Sequence, residues 1–404
     1  MRVLLLAGHA TGGVAGHVAD LAGGLAAAGV QRVVATSALT AGRWGRLGAV
    51  EEAAVQELWP DLWHPVAGAR RLRRLRALAR GADVVHAHGH QAGLLAALLL
   101  RPTPRRRRGR LPGGPDRAGR PVLVVTWHNA VLGPDGPGRA LRALAERLQA
   151  RRADLLTGAS GDLVERARQL GARHAELTPV AVPDAVGQTE GPPGEPARAA
   201  QTRGATSPPP PPGLEDVAPG TPLVLTVSRV APQKDLPTLV RAAARTVAAT
   251  AQRGGPPALW CVVGDGDPAL GRSLRRQVEA LGAPVRFLGA RDDVPALLAR
   301  ADVLALSSTW EARSLAVQEA MAAGLPVVAT RTGGLPDLLE GVGALVPVGD
   351  DRALAEEVGA LLADPRAREA AGRASREAFL ALPRRADVLR GWVERYARLA
   401  GAGR

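Results

Sequence analysis

A chain of 404 residues with 46% hydrophobic content is too long for one ordinary core and is expected to divide into two domains of roughly 150–200 residues. Its apolar runs reach about ten residues, short of the roughly 18–20 needed to cross a bilayer, and a single cysteine, Cys261, excludes an internal disulfide framework and fits a reducing cytoplasm. The net charge of +14 is concentrated in the first half: residues 1–183 hold 26 Arg against 13 acidic residues, whereas residues 184–404 hold 26 Arg and Lys against 25.

In chain order, the opening "MRVLLLAGHATGG" has a five-residue apolar run, too short for a secretory core, and reads as a first strand leading through a glycine-rich turn into a helix. Short β-branched runs then alternate with helical patterns: "VLLLA" (3–7), "VVATS" (33–37), "DVVHAH" (83–88), "VLVVTWH" (122–128) and "LLTGAS" (155–160). Between them, "RRLRRLRALAR" (70–80) carries six arginines, and "RPTPRRRRGRLPGGPDRAGR" (101–120) carries eight against one Asp. A basic face of this kind suits an anionic membrane surface, nucleic acid or an acidic substrate; a solvated helix and loop is the plainer alternative.

Residues 184–219 are rich in Pro, Gly, Ala and Thr and nearly free of large apolar side chains, so they are expected to form a flexible linker. The same strand rhythm resumes beyond it with "LVLTVS" (223–228), "LWCVVG" (259–264), "VRFLG" (285–289), "DVLALS" (302–307) and "PVVAT" (326–330). Apolar runs without alternation are those of strands buried on both faces. With helices between them they predict two α/β, doubly wound parallel sheets, whose ligands sit at the carboxyl ends of strands. The expected domains are 1–183, the linker 184–219, a second domain 220–383, and an amphipathic helix within 384–404 that crosses back to the first.

The composition also has a bias: no isoleucine, one asparagine, and one lysine, Lys234, among 51 arginines. Arginine and alanine content therefore says little about chemistry, and the lone lysine says more.

Two glutamates in "STWEARSLAVQEAMAAGLPVVATRTGG" (307–334) pose the functional question. Ser314 is placed to cap a helix running to about Ala323, with Gly324 beyond its end and Pro326 stopping it. Glu311 then lies in the strand-to-helix loop and Glu319 on the helix. Free amides at that helix start suit phosphate. A carboxylate beside them suits hydroxyl groups next to that phosphate, as on a sugar. Upstream, Arg229 and Lys234 in "VSRVAPQKD" are spaced to clamp a diphosphate and stabilise charge on a leaving group. The glycine turn at Gly12 and Gly13 permits close phosphate approach but lacks a dinucleotide spacing. His86, His88 and His90 cluster in "VHAHGH", yet without nearby carboxylates they are read as strand-end residues, not metal ligands. Asp265-Gly-Asp267 is read as turn chemistry.

Together these residues resemble the retaining GT-B glycosyltransferases with the E-x(7)-E signature, strongly over about 220–365 and more loosely over the first lobe through "GGVAGHV", "DVVHAHGHQAGLLA", "VVTWHN" and "ASGDLVERARQLGA". The resemblance implies two facing Rossmann-like domains with a cleft between them. It implies that Glu311 binds donor-sugar hydroxyls and that amides at Arg313, Ser314 and Leu315 contact sugar and phosphate. Glu319 would hold the ribose, Arg229 and Lys234 the diphosphate, and Gly13 would approach the phosphate. Main chain at Gly289 and Arg291 would line the base, and His128 would lie near the reaction centre. The implied partners are a nucleotide diphosphate sugar as donor, no metal or other cofactor, and an acceptor for which a membrane lipid or glycolipid on the inner membrane face is the first expectation.

"PVAVPDAVG" (179–187), the long linker and the arginine-rich insert depart from the family pattern and bear on the acceptor. A nucleotide-sugar 2-epimerase of the same architecture, or a non-catalytic nucleotide-sugar or nucleic-acid binder, are the alternatives. With only 10 Phe, Trp and Tyr, an aromatic platform for single-stranded nucleic acid is not expected. The motifs leave base, sugar and oligomeric state open.

Overall fold

The computed structural model describes residues 1–10, 12–47, 54–60, 64–100, 120–131, 137–178, 211–251 and 257–402. The chain forms two compact units, one from residues 1–181 and 383–404, the other from 182–382. Most of the expected linker and nearly all of the arginine-rich insert lie outside the described residues.

The first unit is built on a seven-stranded parallel sheet. Its strands are β1 (Arg2–Ala7), β2 (Gln31–Thr36), β3 (Val55–Glu57), β4 (Val84–His88), β5 (Val122–Trp127), β6 (Leu155–Gly158) and β7 (Ala175–Leu177), in the order β3-β2-β1-β4-β5-β6-β7. The central strands are buried along nearly their whole length, as apolar runs without alternation require. Register is fixed at the centre by Leu5 opposite both Val34 and His86. The helices α1 (Gly12–Ala27), α2 (Ala38–Leu47), α3 (Pro65–Gly81), α4 (His90–Leu99), α5 (Pro137–Arg152) and α6 (Gly161–Gln169) complete the crossovers.

The second unit repeats the plan with six parallel strands, β8 (Leu223–Val227), β9 (Leu259–Val263), β10 (Val285–Gly289), β11 (Val303–Leu306), β12 (Val327–Thr330) and β13 (Ala344–Val346), in the order β10-β9-β8-β11-β12-β13. Its helices are α7 (Leu236–Ala251), α8 (Pro268–Leu281), α9 (Val294–Arg300), α10 (Leu315–Ala322), α11 (Leu335–Leu339), α12 (Asp351–Ala363) and α13 (Pro365–Leu380). Neighbouring residues of β9 serve opposite layers: Cys261 packs with Leu225 and Met321, and Trp260 packs with Val240 and Leu354. In both sheets the chain leaves the first strand in one direction and later returns to extend the other side. That reversal places a switch point between β1 and β4 and another between β8 and β11.

The last helix, α14 (Arg385–Ala402), belongs to the first unit. Its Trp392 and Tyr396 are fully buried among Leu5, Val18, Leu21 and Leu25. Arg385 pairs with Asp20 at 2.5 Å and Arg395 with Glu176 at 3.0 Å.

Two features differ from the sequence reading. The three-residue strands β3, β7 and β13 have no counterpart among the predicted runs. The end of the supposed linker, 211–219, is docked on the second unit: Leu214 is buried in its core, and Arg286 makes a forked ion pair with Asp216 at 2.7 and 2.9 Å. One leucine anchors a stretch whose composition reads as loose.

Candidate functional site

At the β8–β11 switch point the loops after those two strands are tied together by their own backbones. Thr309 donates its amide to Gln233 O at 2.8 Å, and Ser307 Oγ donates to Lys234 O and Asp235 O, both at 2.9 Å. A short 3-10 helix, Pro232–Lys234, ends at Asp235, whose φ of 43° is the left-handed region that Asp tolerates better than most residues. This turn aims the Lys234 ammonium at Glu311, with which it forms an ion pair. Ser308 Oγ donates to the same carboxylate oxygen at 2.7 Å.

The Glu311 backbone is equally constrained. Its carbonyl accepts from the Gly334 amide at 2.9 Å, and a Cβ on Gly333, which has φ 53°, would lie 1.8 Å from that oxygen. Only glycine permits the approach. Glu311 is 8% exposed, so the pair forms a charged floor with little access to water.

Around this floor the sequence-predicted residues take defined places. Ser314 caps α10, its Oγ accepting from the Val317 amide at 3.4 Å, and Gly324 follows the helix with φ 70°. The helix therefore starts and stops where its capping residues predict, with the Leu315 and Ala316 amides at its open end. Arg229 is exposed just past β8, and its guanidinium has no ion pair among the described residues. Glu319 is half-buried on α10, its carboxylate has no hydrogen-bond partner among the described residues, and burial raises its pKa. Arg313 is half-buried with its pKa lowered by the same loss of solvent, only partly offset by Asp337. An unpaired cation past β8 and an unpaired carboxylate on α10 are the groups that a ligand with phosphate and hydroxyl functions would satisfy.

Gly289 ends β10 with φ 70°, and the amide after it, from Ala290, donates to Asp265 at 3.2 Å. Arg291 turns its side chain away into an ion pair with Asp293 at 2.5 Å and a bond to Pro212 O at 2.8 Å, which leaves only its main chain for a ligand. The Gly264–Asp267 turn is structural. Cβ atoms on Gly264 and Gly266 would lie 2.2 and 2.1 Å from Ser228 O and Val230 O. Asp267 caps α8 by accepting from the Ala269 and Leu270 amides. The backbone of this turn braces the Arg229 loop: the Val230 amide donates to Asp265 O at 3.0 Å, and the Asp267 amide donates to Val230 O at 2.8 Å.

The first unit has its own constellation at the β1–β4 switch point. Gly13 lies in the first turn of α1. A cavity of about 270 Å³ is lined by residues that include Gly8, His9, His88, His90, His128 and Asn129. His128, just past β5, is 4% exposed, and its Nε2 lies 3.2 Å from His88 Nδ1. Burial holds His86, His88 and His128 well below the ordinary imidazole range, with further lowering from neighbouring histidines, and pushes His17 down to about 4. All four are neutral rings at pH 7.

The histidine grouping differs from the one that the spacing suggests. His86 is engaged by Tyr396 Oη at 2.5 Å and Thr126 Oγ1 at 2.6 Å, and His90 by Asn129 O at 2.7 Å. The rings that meet are His17, His88 and His128. Sequence reasoning missed His17, although it lies on the α1 face marked by Val14, Val18, Leu21 and Leu25.

Two parallel sheets of one topology, each with polar loops gathered at its switch point, define a two-domain protein of the GT-B kind. Residues 221–364 match the family described as Glycosyl transferases group 1, and residues 12–183 match the Glycosyl transferase 4-like domain. The chain belongs to the group 1 glycosyltransferases.

Among curated relatives, it is 36% identical over 168 residues to a GDP-mannose-dependent alpha-(1-6)-phosphatidylinositol monomannoside mannosyltransferase of Mycolicibacterium smegmatis, covering 38% of this chain and 42% of that one. It is 39% identical over 95 residues to the N-acetyl-alpha-D-glucosaminyl L-malate synthase of Bacillus anthracis, covering 23% and 25%. These matches thus span less than half of the relatives' own length. Among solved structures, Anabaena HepE in complex with UDP superposes with a TM-score of 0.74 at 21% identity, over 98% of this chain and 100% of that one, a likeness of fold.

Proposed function

We propose that this protein is a retaining glycosyltransferase that moves a sugar from a nucleotide diphosphate sugar to a lipid or glycolipid acceptor, as a cytoplasmic enzyme peripheral to the inner membrane face. The observation that carries the reading is the Lys234–Glu311 pair beside the open start of α10. The carboxylate accepts hydroxyls of the donor sugar while Lys234, Arg229 and the Ser314–Leu315 amides take the diphosphate. Positive charge placed in advance where the leaving group gains its negative charge lowers the barrier most. These protein cations take the place that a metal holds in other transferases, so no ion is required on the donor. Glu319 accepts the ribose hydroxyls, and main chain at Gly289 and Arg291 contacts the base. Gly13 and His128 are assigned to phosphate approach and to the reacting sugar. Retention follows from attack on the face that the phosphate leaves, with that phosphate taking the acceptor proton.

The lipid acceptor is supported by the mycolicibacterial relative, a mannosyltransferase of phosphatidylinositol monomannoside, and by α3, on which Arg70, Arg73, Arg74, Arg76 and Arg80 are exposed. No helix among the described residues is long and apolar enough to cross a membrane, so contact with lipid would be peripheral.

A thermal-shift screen over UDP-, GDP- and ADP-sugars identifies the donor, since a ligand that binds the native state raises its melting temperature. Turnover of that donor with membrane-extract acceptors, followed by anomeric analysis of the product, tests the chemistry. Retained configuration, with turnover reduced at least ~10²-fold in Glu311→Gln, supports the reading. Inverted product, or release of an epimerised sugar without any acceptor, overturns it.

A further inference from the structure

The three buried histidines at the first unit's switch point are not accounted for by the clamp on the second unit. His17 enters from α1, His88 from the end of β4 and His128 from the end of β5. Each offers a ring nitrogen, and these nitrogens all lie within 4.8 Å of one another. The ring centroids of His17 stand 5.6 Å from His88 and 5.4 Å from His128, and those of His88 and His128 are 5.5 Å apart.

We propose that His17, His88 and His128 bind a divalent transition-metal ion of the zinc type through three imidazole nitrogens. A tetrahedral ion with bonds of ~2.0–2.1 Å holds its ligand atoms roughly 3.3 Å apart. His88 Nδ1 and His128 Nε2, at 3.2 Å, already have that spacing. The third nitrogen has at most about 1.5 Å to close, within reach of small side-chain rotations.

A second observation points to a missing partner. His17 Nε2 is fully buried with no hydrogen-bond partner among the described residues, a state that folded proteins rarely leave unanswered. Neutral imidazoles are the form that ligates a metal, and burial keeps these rings neutral.

The donor set selects the ion. Three nitrogens without a carboxylate suit zinc, cobalt or nickel and give magnesium and calcium little. His88 is braced from behind by His86, whose ring centroid is 4.0 Å away and which is itself fixed by Thr126 and Tyr396. The buried Cys261 belongs to the other unit and is no competitor, since burial pushes its thiol up to about 11. Three protein ligands leave a tetrahedral ion one position for an oxygen donor. His88 and His128 line the 270 Å³ cavity from which that oxygen would come. Ligation through one ring nitrogen of His128 leaves the other for the sugar contact assigned above. The metal need not act on the donor phosphates, so the inference stands or falls independently of the proposed transfer.

The test is direct binding. Full-length protein stripped with a chelator is titrated with ZnCl2 against a chromophoric chelator and, separately, with CoCl2 while visible absorption is followed. One equivalent of zinc and the intense bands of tetrahedral cobalt are expected. His17→Gln and His88→Gln should each weaken zinc at least about 100-fold, beyond the usual cost of losing an outer-shell partner. Replacement of the exposed His174 by Gln should change nothing. Circular dichroism of each variant confirms that the fold survives. If one variant does not fold, the other and the cobalt spectrum decide. Binding below a tenth of an equivalent, or zinc affinity that survives either substitution in a folded variant, overturns the proposal.

Discussion

At the residue scale, Lys234 and Glu311 are each other's main partner, and both side chains are nearly closed to water, 13% and 10% exposed. Removing one charge strands the other, which costs about 3–5 kcal/mol for a buried pair. Lys234→Ala should therefore lower the urea midpoint of the second unit as well as abolish transfer, and activity has to be compared where the variant is still folded. Glu311→Gln keeps an acceptor for Ser308 Oγ and should be milder in stability while as damaging to turnover. Equal stability losses in the two variants would contradict this asymmetry. Cys261 supplies a check on the packing beneath. With its pKa pushed up to about 11 by burial, almost none is thiolate at pH 7. Alkylation of native protein should be very slow and should rise about tenfold per pH unit toward 11, whereas urea-unfolded protein reacts at the rate of an ordinary thiol. Rapid native labelling at pH 7.5 would show that this layer of the core is open.

Glu311, Lys234, Ser314 and Glu319 were legible because their signal is local: strand, loop, cap and helix within one stretch, plus one unusual lysine. His17 was not legible as part of a cluster. Its partners are 71 and 111 positions away, and only the strand order brings them together.

At the scale of elements, the long crossovers and buried strands were readable from apolar runs, and α10 from its capping residues. The strands β3, β7 and β13 were not, because each has three residues and too few side chains to show a period. The basic helix α3 shows why charge alone did not decide a function. Leu75 and Ala79 are buried against the sheet while five arginines face water, so the pattern folds the helix whether or not the arginines bind anything. Replacing Arg73, Arg76 and Arg80 with Gln should accordingly leave the melting temperature within about a degree. Vesicles containing anionic lipid distinguish the readings. At about 1 kcal/mol per arginine near such a surface, the triple variant should bind more than tenfold more weakly at low salt. Unchanged sedimentation with phosphatidylserine vesicles would leave these arginines as a solvated face only.

At the scale of the whole molecule, the first unit is discontinuous: residues 383–404 complete it after the entire second unit has intervened. The contribution of that last helix is large. Trp392 and Tyr396 are both fully buried, and side chains of this kind bury roughly 150–250 Å² each. At about 25 cal/mol per Å² the two supply up to about 8–12 kcal/mol, an upper bound that matches the whole stability of many domains. Tyr396 also donates to or accepts from His86, so losing it strands a buried imidazole nitrogen. A chain ending at residue 383 should therefore keep a cooperative second unit, with Trp260 still buried, and lose the first. Hydrogen exchange read peptide by peptide separates the two: β8–β13 protected, β1, β4 and β5 exchanging at once. Retained protection in β1 and β4 of the shortened chain would mean that the helix only decorates a unit already stable. The same dependence orders folding during synthesis, because the second unit can close as soon as its own residues are made, while the histidine site waits for a helix that begins about 260 residues after its last ligand.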